Sequence, residues 1–218
     1  MLRYIAAILY VVAPILFLVC MIVTGLHYGP PTYNPITDTI SDLQAVHCGT
    51  FQGTYVCSPL HSLANFSVAM LGLSIAVGSL SILGDLSKGR RGKVAVGLLI
   101  ATGLAALANA FTPEDVTLIG DTITAIIVFL AANFGLIQIG RTMHATARNR
   151  IFGLFGQILG TIGIVAFILD GFGIGTVIGM GAIEWLIVAP ILGWAPTMGL
   201  HSIIQMQQPK RVESEQRQ

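Results

Sequence analysis

Six stretches of this chain, residues 4–26, 59–83, 94–111, 118–140, 151–169 and 183–206, are almost wholly apolar. Each reaches or approaches the roughly 20 residues that a helix needs to cross a bilayer's hydrocarbon core. In water these stretches would have to hide against one another. With 54% hydrophobic and 10% charged residues, the chain has too little polar surface to cover them; a soluble domain carries about a quarter charged residues. In lipid, by contrast, an apolar run must satisfy its own backbone, and a helix does so within one segment. The fold class is therefore all-α: a polytopic membrane protein, a bundle of six transmembrane helices forming one domain over residues 1–206. A polar tail, residues 207–218, reads as short and mobile.

Insertion is governed by local Lys and Arg rather than by net charge. Arg3 precedes the first span. Lys88, Arg90, Arg91 and Lys93 lie between spans two and three, Arg141, Arg148 and Arg150 between four and five, and Lys210, Arg211 and Arg217 in the tail. The other three connectors contain none of the 11 basic residues. This partition predicts a cell-membrane protein with both termini cytoplasmic. The first run is longer than the ~7–15 apolar residues of a signal peptide and lacks a small-residue cleavage site, so it reads as a retained span. Nothing resembles a basic, aromatic-bearing nucleic-acid surface.

The acids are distributed the other way. Asp38, Asp42, Glu114, Asp115, Asp121, Asp170 and Glu184 fall at the outer side, where His27, His47 and His61 also lie. Between the first two spans, residues 27–58 form a long polar outer loop. Cys48 and Cys57 bracket eight residues there, and an oxidising compartment favours a disulfide staple, while Cys20 reads as a buried small hydrophobe. Upstream, Pro30, Pro31 and Pro35 exclude a helix. Ile36 to Leu43 then reads as a short interfacial helix, capped by Thr37 or Asp38, with Ile36, Ile40 and Leu43 on its apolar stripe. Asp38 and Asp42, four residues apart, would share its other face and repel.

Several short motifs resemble a known pattern: Asn34-Pro35 followed by Ile40-Ser41-Asp42-Leu43, then Asn65-Phe66, Phe111 with Pro113 and Asp115, and Gly181 with Glu184-Trp185. In layout and motif the chain resembles the six-span family of unknown function DUF998, and more distantly the Frag/Sfk/DRAM group. The resemblance implies six spans and an outward-facing motif loop, and it supplies no reaction. Where such families often carry a histidine at the start of span four, this chain has Gly120-Asp121.

Within the spans, polar residues cluster at one depth. His61 and Asn65 sit near the outer end of span two and share a helix face. Asn109, Asp121 and Glu184 lie at the same level of spans three, four and six. Ionisable groups in spans usually face the bundle interior or a water-filled cavity. The predicted binding residues of an outward-opening pocket are thus Asp38, Ser41, Asp42, His61, Asn65, Asn109, Asp121 and Glu184, with His61, Asp121 and Glu184 as catalytic candidates. The competing reading is that each merely bonds a helix end. His47, His61, Asp38 and Asp42 have the side chains of a metal site but not its spacing, and no motif indicates a cofactor. Gly153, Gly156, Gly160 and Gly163 form a close-packing face, for another span or for a partner.

Three function classes follow. The first is a non-catalytic lipid-binding, sensing or assembly subunit, whose partners are membrane lipids and a membrane protein docked on the outer loop or the glycine face. It stands ahead because no strong catalytic motif is present. The second is an intramembrane hydrolase or transferase acting on a lipid or lipid-linked substrate at the outer leaflet. A small-molecule transporter is third, without a visible inverted repeat.

Overall fold

The computed structural model describes residues 2–51, 53–82, 89–144 and 149–215. Lys88, Arg148 and Arg217, used above to orient the chain, lie outside the described residues. The chain runs α1 (Leu2–Leu26), α2 (Ile40–Gln44), β1 (Gly49–Phe51), β2 (Thr54–Val56), α3 (His61–Ile82), α4 (Arg90–Asn109), α5 (Leu118–His144), α6 (Arg150–Gly171), α7 (Gly175–Ile178) and α8 (Met180–Glu215). Among the described residues, the 6 helices α1, α3, α4, α5, α6 and α8 are long and apolar enough to cross a membrane. The protein is a six-helix membrane protein.

The helix ends differ from the hydropathic boundaries for local reasons. Pro59 and Leu60 form a turn rather than helix, and His61 N–H donates to the Ser58 carbonyl at 3.1 Å as α3 begins. The last helix does not stop where the apolar run stops but continues to Glu215. Gln, Lys, Arg and Glu are good helix formers, so helix propagates past the apolar boundary.

The spanning helices pack in a closed ring, α1 on α3, α3 on α4, α4 on α5, α5 on α6, α6 on α8, and α8 back on α1. Glycines set the closest approaches. A Cβ on Gly72 would lie 2.6 Å from the Gly103 carbonyl oxygen, and one on Gly103 would lie 2.5 Å from that of Gly72, so α3 and α4 meet backbone to backbone. Gly140 and Gly153 make the same reciprocal contact between α5 and α6. Gly156 lies under the Trp194 indole, and Gly160 and Gly163 lie against Asn133. The glycine face of α6 is therefore covered from within, by α5 and by Trp194 of α8.

Trp194 and Tyr10 are wholly buried and meet edge to face, ring centroids 6.3 Å apart. The Tyr10 hydroxyl lies 2.7 Å from Ser79 Oγ and ties α1 to α3. Large apolar side chains such as Ile22, Leu80, Leu104, Ile119, Ile151 and Leu200 point away from the bundle on all six helices. That is the surface a hydrocarbon solvent covers.

The long loop, residues 27–60, folds over one end of the bundle, the loop end, together with the 110–117 and 172–179 connectors. Cys48 and Cys57 form the expected disulfide. Inside it lies a feature absent from the sequence reading, an antiparallel hairpin pairing Gly49 with Val56, Thr50 with Tyr55 and Phe51 with Thr54. Gly53 takes φ 88° at its turn, a conformation that glycine adopts without Cβ strain.

Candidate functional site

The short helix α2 sits over the bundle axis, and its five residues organise the loop end. Thr39, not Thr37 or Asp38, is its N-cap: Thr39 Oγ1 accepts from Asp42 N–H at 3.1 Å, and Asp42 Oδ2 accepts from Thr39 N–H at 2.7 Å. This reciprocal pair is a capping box. Asp38 lies outside the helix, where its carboxylate accepts from Asn34 N–H at 2.8 Å and from the Thr37 hydroxyl at 2.9 Å. The expected shared face of Asp38 and Asp42 is thus not formed. Each carboxylate is drawn to its own set of backbone donors. Ile36 stays exposed while Ile40 and Leu43 are buried.

Four spans hold α2 through their own polar side chains. The Ile40 N–H, left unpaired by the start of a helix, donates to Glu184 Oε2 of α8 at 2.8 Å. The Ser41 hydroxyl donates to the Asp121 carboxylate of α5 at 3.3 and 3.4 Å. Gln44 Nε2 donates to Asn65 Oδ1 of α3 at 3.0 Å and to Asn109 Oδ1 of α4 at 3.2 Å. Asn65 Nδ2 returns a bond to the Gln44 carbonyl at 3.0 Å. Asn109 Nδ2 donates to Asp121 Oδ1 at 2.9 Å and to Thr124 Oγ1 at 3.0 Å. A continuous network therefore joins α8, α2, α3, α4 and α5 at one level.

The loop's approach to α8 requires small residues. Ala182 N–H donates to the Ile36 carbonyl at 2.9 Å. At Gly179, φ is 111°, and any Cβ at Gly179 or Gly181 would collide with the backbone of Ile36 or Asp38. The 110–117 connector closes the opposite side. Asp115 accepts from the N–H groups of Val46 at 3.0 Å and His47 at 2.8 Å, and from the His47 ring at 2.8 Å. Burial alone would raise its pKa, but these three donors together hold the carboxyl below its usual range. Its neighbour Glu114 behaves in the opposite way. Burial, a hydrogen bond with Asp42 and the nearby charges of Asp42, Asp121 and Glu184 push it up to about 9. Glu114 consequently keeps its proton at neutral pH.

These elements enclose a cavity of about 630 Å³ at the loop end. Its polar side carries Asp38, Asp42, Glu114, Asp121, Asp170 and Glu184, and its apolar side includes Ile126, Phe129, Phe167 and Met180. Phe51 and Thr54 bring the stapled hairpin to its rim. A smaller void of about 60 Å³ lies on the bundle axis beneath α2 and shares Ser41, Ala125, Phe129 and Glu184 with the larger one.

Of the residues nominated from sequence, Asp38, Ser41, Asp42, Asp121 and Glu184 line the large cavity, and Asn109 lines the small one. Asn65 supports the network from behind. His61 lines neither cavity; its Nδ1 lies 3.0 Å from the Ser58 carbonyl oxygen. His27 bonds the Val23 carbonyl at 2.9 Å, and His47 bonds Asp115. Among the described residues no three His, Cys, Asp or Glu side chains gather as a metal site would require. Gln44, Thr124, Glu114 and Asp170 join the site without having been nominated for it. The last two carried a signal, the excess of acids at this side of the chain.

No curated protein and no solved structure matches this chain. The model of one family does match: residues 11–201 fit the family described as a protein of unknown function, DUF998, and the chain belongs to that family.

Proposed function

We propose that this protein is a non-catalytic, ligand-binding component of the cell membrane that receives the head of a lipid or similar amphiphile in the loop-end cavity. In this reading the loop end faces outward and both termini are cytoplasmic, as the partition of Lys and Arg directs. One observation carries the reading. A cavity of about 630 Å³ has carboxyls and hydroxyls on one side and Ala125, Ile126, Phe129 and Met180 on the other. That volume suits a small organic group. Phe172 and Val177, in the connector between the lining residues Gly171 and Met180, are about four-fifths exposed (81% and 80%). A ligand reaching the cavity from the bilayer would thus keep its apolar part in lipid while its head entered the polar side.

The test is native mass spectrometry of protein released from nanodiscs. The wild type is expected to retain lipid or added amphiphile. Ala125→Trp, which places an indole inside the cavity, is expected to lose it while keeping its melting temperature. Thr122→Trp, on an exposed position of the same wall, gives a second variant if the first fails to fold. Retention equal in wild type and both variants would remove the cavity from the account.

A second reading rests on Glu114, since a carboxyl that keeps its proton at neutral pH among other carboxyls can serve as a general acid. On this reading the cavity belongs to a hydrolase or transferase acting on a lipid-linked substrate, with Asp121 and Glu184 beside Glu114. Turnover of lipid by purified protein, abolished in Glu114→Gln with binding intact, would select it over the first.

A further inference from the structure

We propose that the loop-end cavity recognises an organic ammonium group, a protonated amine or a quaternary nitrogen carried on an apolar body. The proposal deepens the amphiphile-binding reading above and rests on it. Among the described residues the lining carries six carboxyls, on Asp38, Asp42, Glu114, Asp121, Asp170 and Glu184, and no Lys, Arg or His. Two of them, Asp42 and Asp121, are more than nine-tenths buried (8% and 6% exposed). Acids gathered in this way repel unless something positive offsets them.

Part of that repulsion is relieved by the protein and part is not. Asp42, Asp121 and Glu184 each accept from a backbone or side-chain donor described above. The Asp170 carboxylate accepts no hydrogen bond from a described residue. The Oε1 atom of Glu114 is covered and without a hydrogen-bond partner. Both residues line the cavity, where a ligand's polar hydrogens can approach their carboxyl groups.

The apolar side decides which cation. A bare metal ion needs several oxygens converging at 2.0–2.6 Å, whereas these carboxyls are spread around a volume of about 630 Å³. Three aromatic rings, Phe51, Phe129 and Phe167, line the same space. Phe129 and Phe167 meet edge to face at 6.4 Å. Aromatic faces attract alkylated ammonium groups, and carboxylates supply the balancing charge. Acid on one wall and phenyl rings on another is a complement to N⁺–CH groups, and anionic heads are repelled by the same wall.

Either a membrane lipid with an amine-bearing head or a free alkylamine would present this chemistry. The experiment compares three probes with one tail and different heads, decyltrimethylammonium, decyl maltoside and decyl sulfate, binding to the full-length protein in nanodiscs of phosphatidylglycerol. The cationic probe is expected to bind about tenfold tighter than the neutral one, with decyl sulfate weakest. Asp170→Asn, which keeps side-chain size, and Phe167→Leu, which removes an aromatic face, are each expected to reduce the ratio of cationic to neutral affinity severalfold.

Repeating the titration in nanodiscs of phosphatidylethanolamine or phosphatidylcholine identifies the source. Competition by those lipids assigns the site to a lipid head, and undiminished binding assigns it to a free amine; both outcomes support ammonium recognition. Equal binding of the cationic and neutral probes, abolished by Ala125→Trp, would overturn the ammonium proposal while leaving amphiphile binding intact. Failure of all three probes to bind would overturn both.

Discussion

Glu114 and Asp115 are neighbours in sequence with the same kind of side chain, yet their surroundings drive them apart. Asp115 meets three N–H donors and is held as the anion. Glu114 meets Asp42, Asp121 and Glu184 and holds its proton up to about pH 9. The sign of the consequence follows. An unfolded glutamic acid ionises near 4.5 and the folded one near 9, so the folded state binds more protons between those values and stability declines as pH rises through that window. Glu114→Gln keeps a neutral donor for Asp42 and removes the titration. Melting temperature in detergent is expected to fall between pH 5 and 9 in the wild type and to fall less in the variant. Parallel pH curves would show that Glu114 is not the group that holds a proton through this window. That the seven acids gather at one side was legible in the sequence, because hydropathy alone places the connectors. Which acids would be spent on backbone donors was not. Asp42 is used by the Thr39 cap and Asp38 by the Asn34 turn only once the loop has bent.

At the scale of elements, the same distinction separates the spans from what lies between them. A span's register against lipid is set by its own apolar length, and all six helices are readable on that basis. Close packing depends on pairs. Gly153, Gly156, Gly160 and Gly163 announce a smooth face on α6, but the groups that fill it, Asn133 and Trp194, come from α5 and α8. Asn133 crosses that seam: its Nδ2 donates to the Phe129 carbonyl at 2.8 Å and to the Ile187 carbonyl of α8 at 3.1 Å. A methyl group at Gly163 would overlap the Asn133 carboxamide. Gly163→Ala is therefore expected to destabilise the protein by about 1–3 kcal/mol, the usual effect of overpacking. Gly97→Ala, where a Cβ meets nothing within 4 Å, serves as the neutral control. Thermal unfolding in detergent checks both; equal stability of the two variants would mean that α6 has room to shift. The hairpin shows the reverse case. Thr50-Phe51 and Thr54-Tyr55-Val56 around Gly53 carry β-branched and aromatic residues about a glycine turn, a legible strand signal. Each strand is only three residues long and lies within the span of the disulfide, so a stapled loop and a hairpin share this sequence signature.

For the whole molecule, the ring of six helices and the plug-like α2 make the two ends physically unlike. One end carries carboxyls, a stapled hairpin and the cavity. The other carries Arg90, Arg91, Lys93, Arg141 and Arg150 at the described helix termini. Ion distribution of this kind sets orientation because basic flanks resist translocation, worth roughly 2.5–3.5 kcal/mol for each charge that would have to cross the bilayer centre. Cys20 is buried and Cys48 is bonded to Cys57, so the native thiols give a quiet background for labelling. Val116→Cys places a reactive thiol on an exposed residue of the loop end, and Arg91→Cys places one on an exposed residue at the opposite end. A membrane-impermeant maleimide on intact cells is expected to modify Val116→Cys and to reach Arg91→Cys only after lysis. The reverse pattern would turn the acid-lined cavity toward the cytoplasm, where its ligand would have to come from the inner leaflet and the disulfide would face a reducing solvent. Because the staple holds the hairpin that supplies Phe51 to the rim, orientation and binding are linked predictions. A cavity of this composition is expected to remain assembled only on the oxidising side.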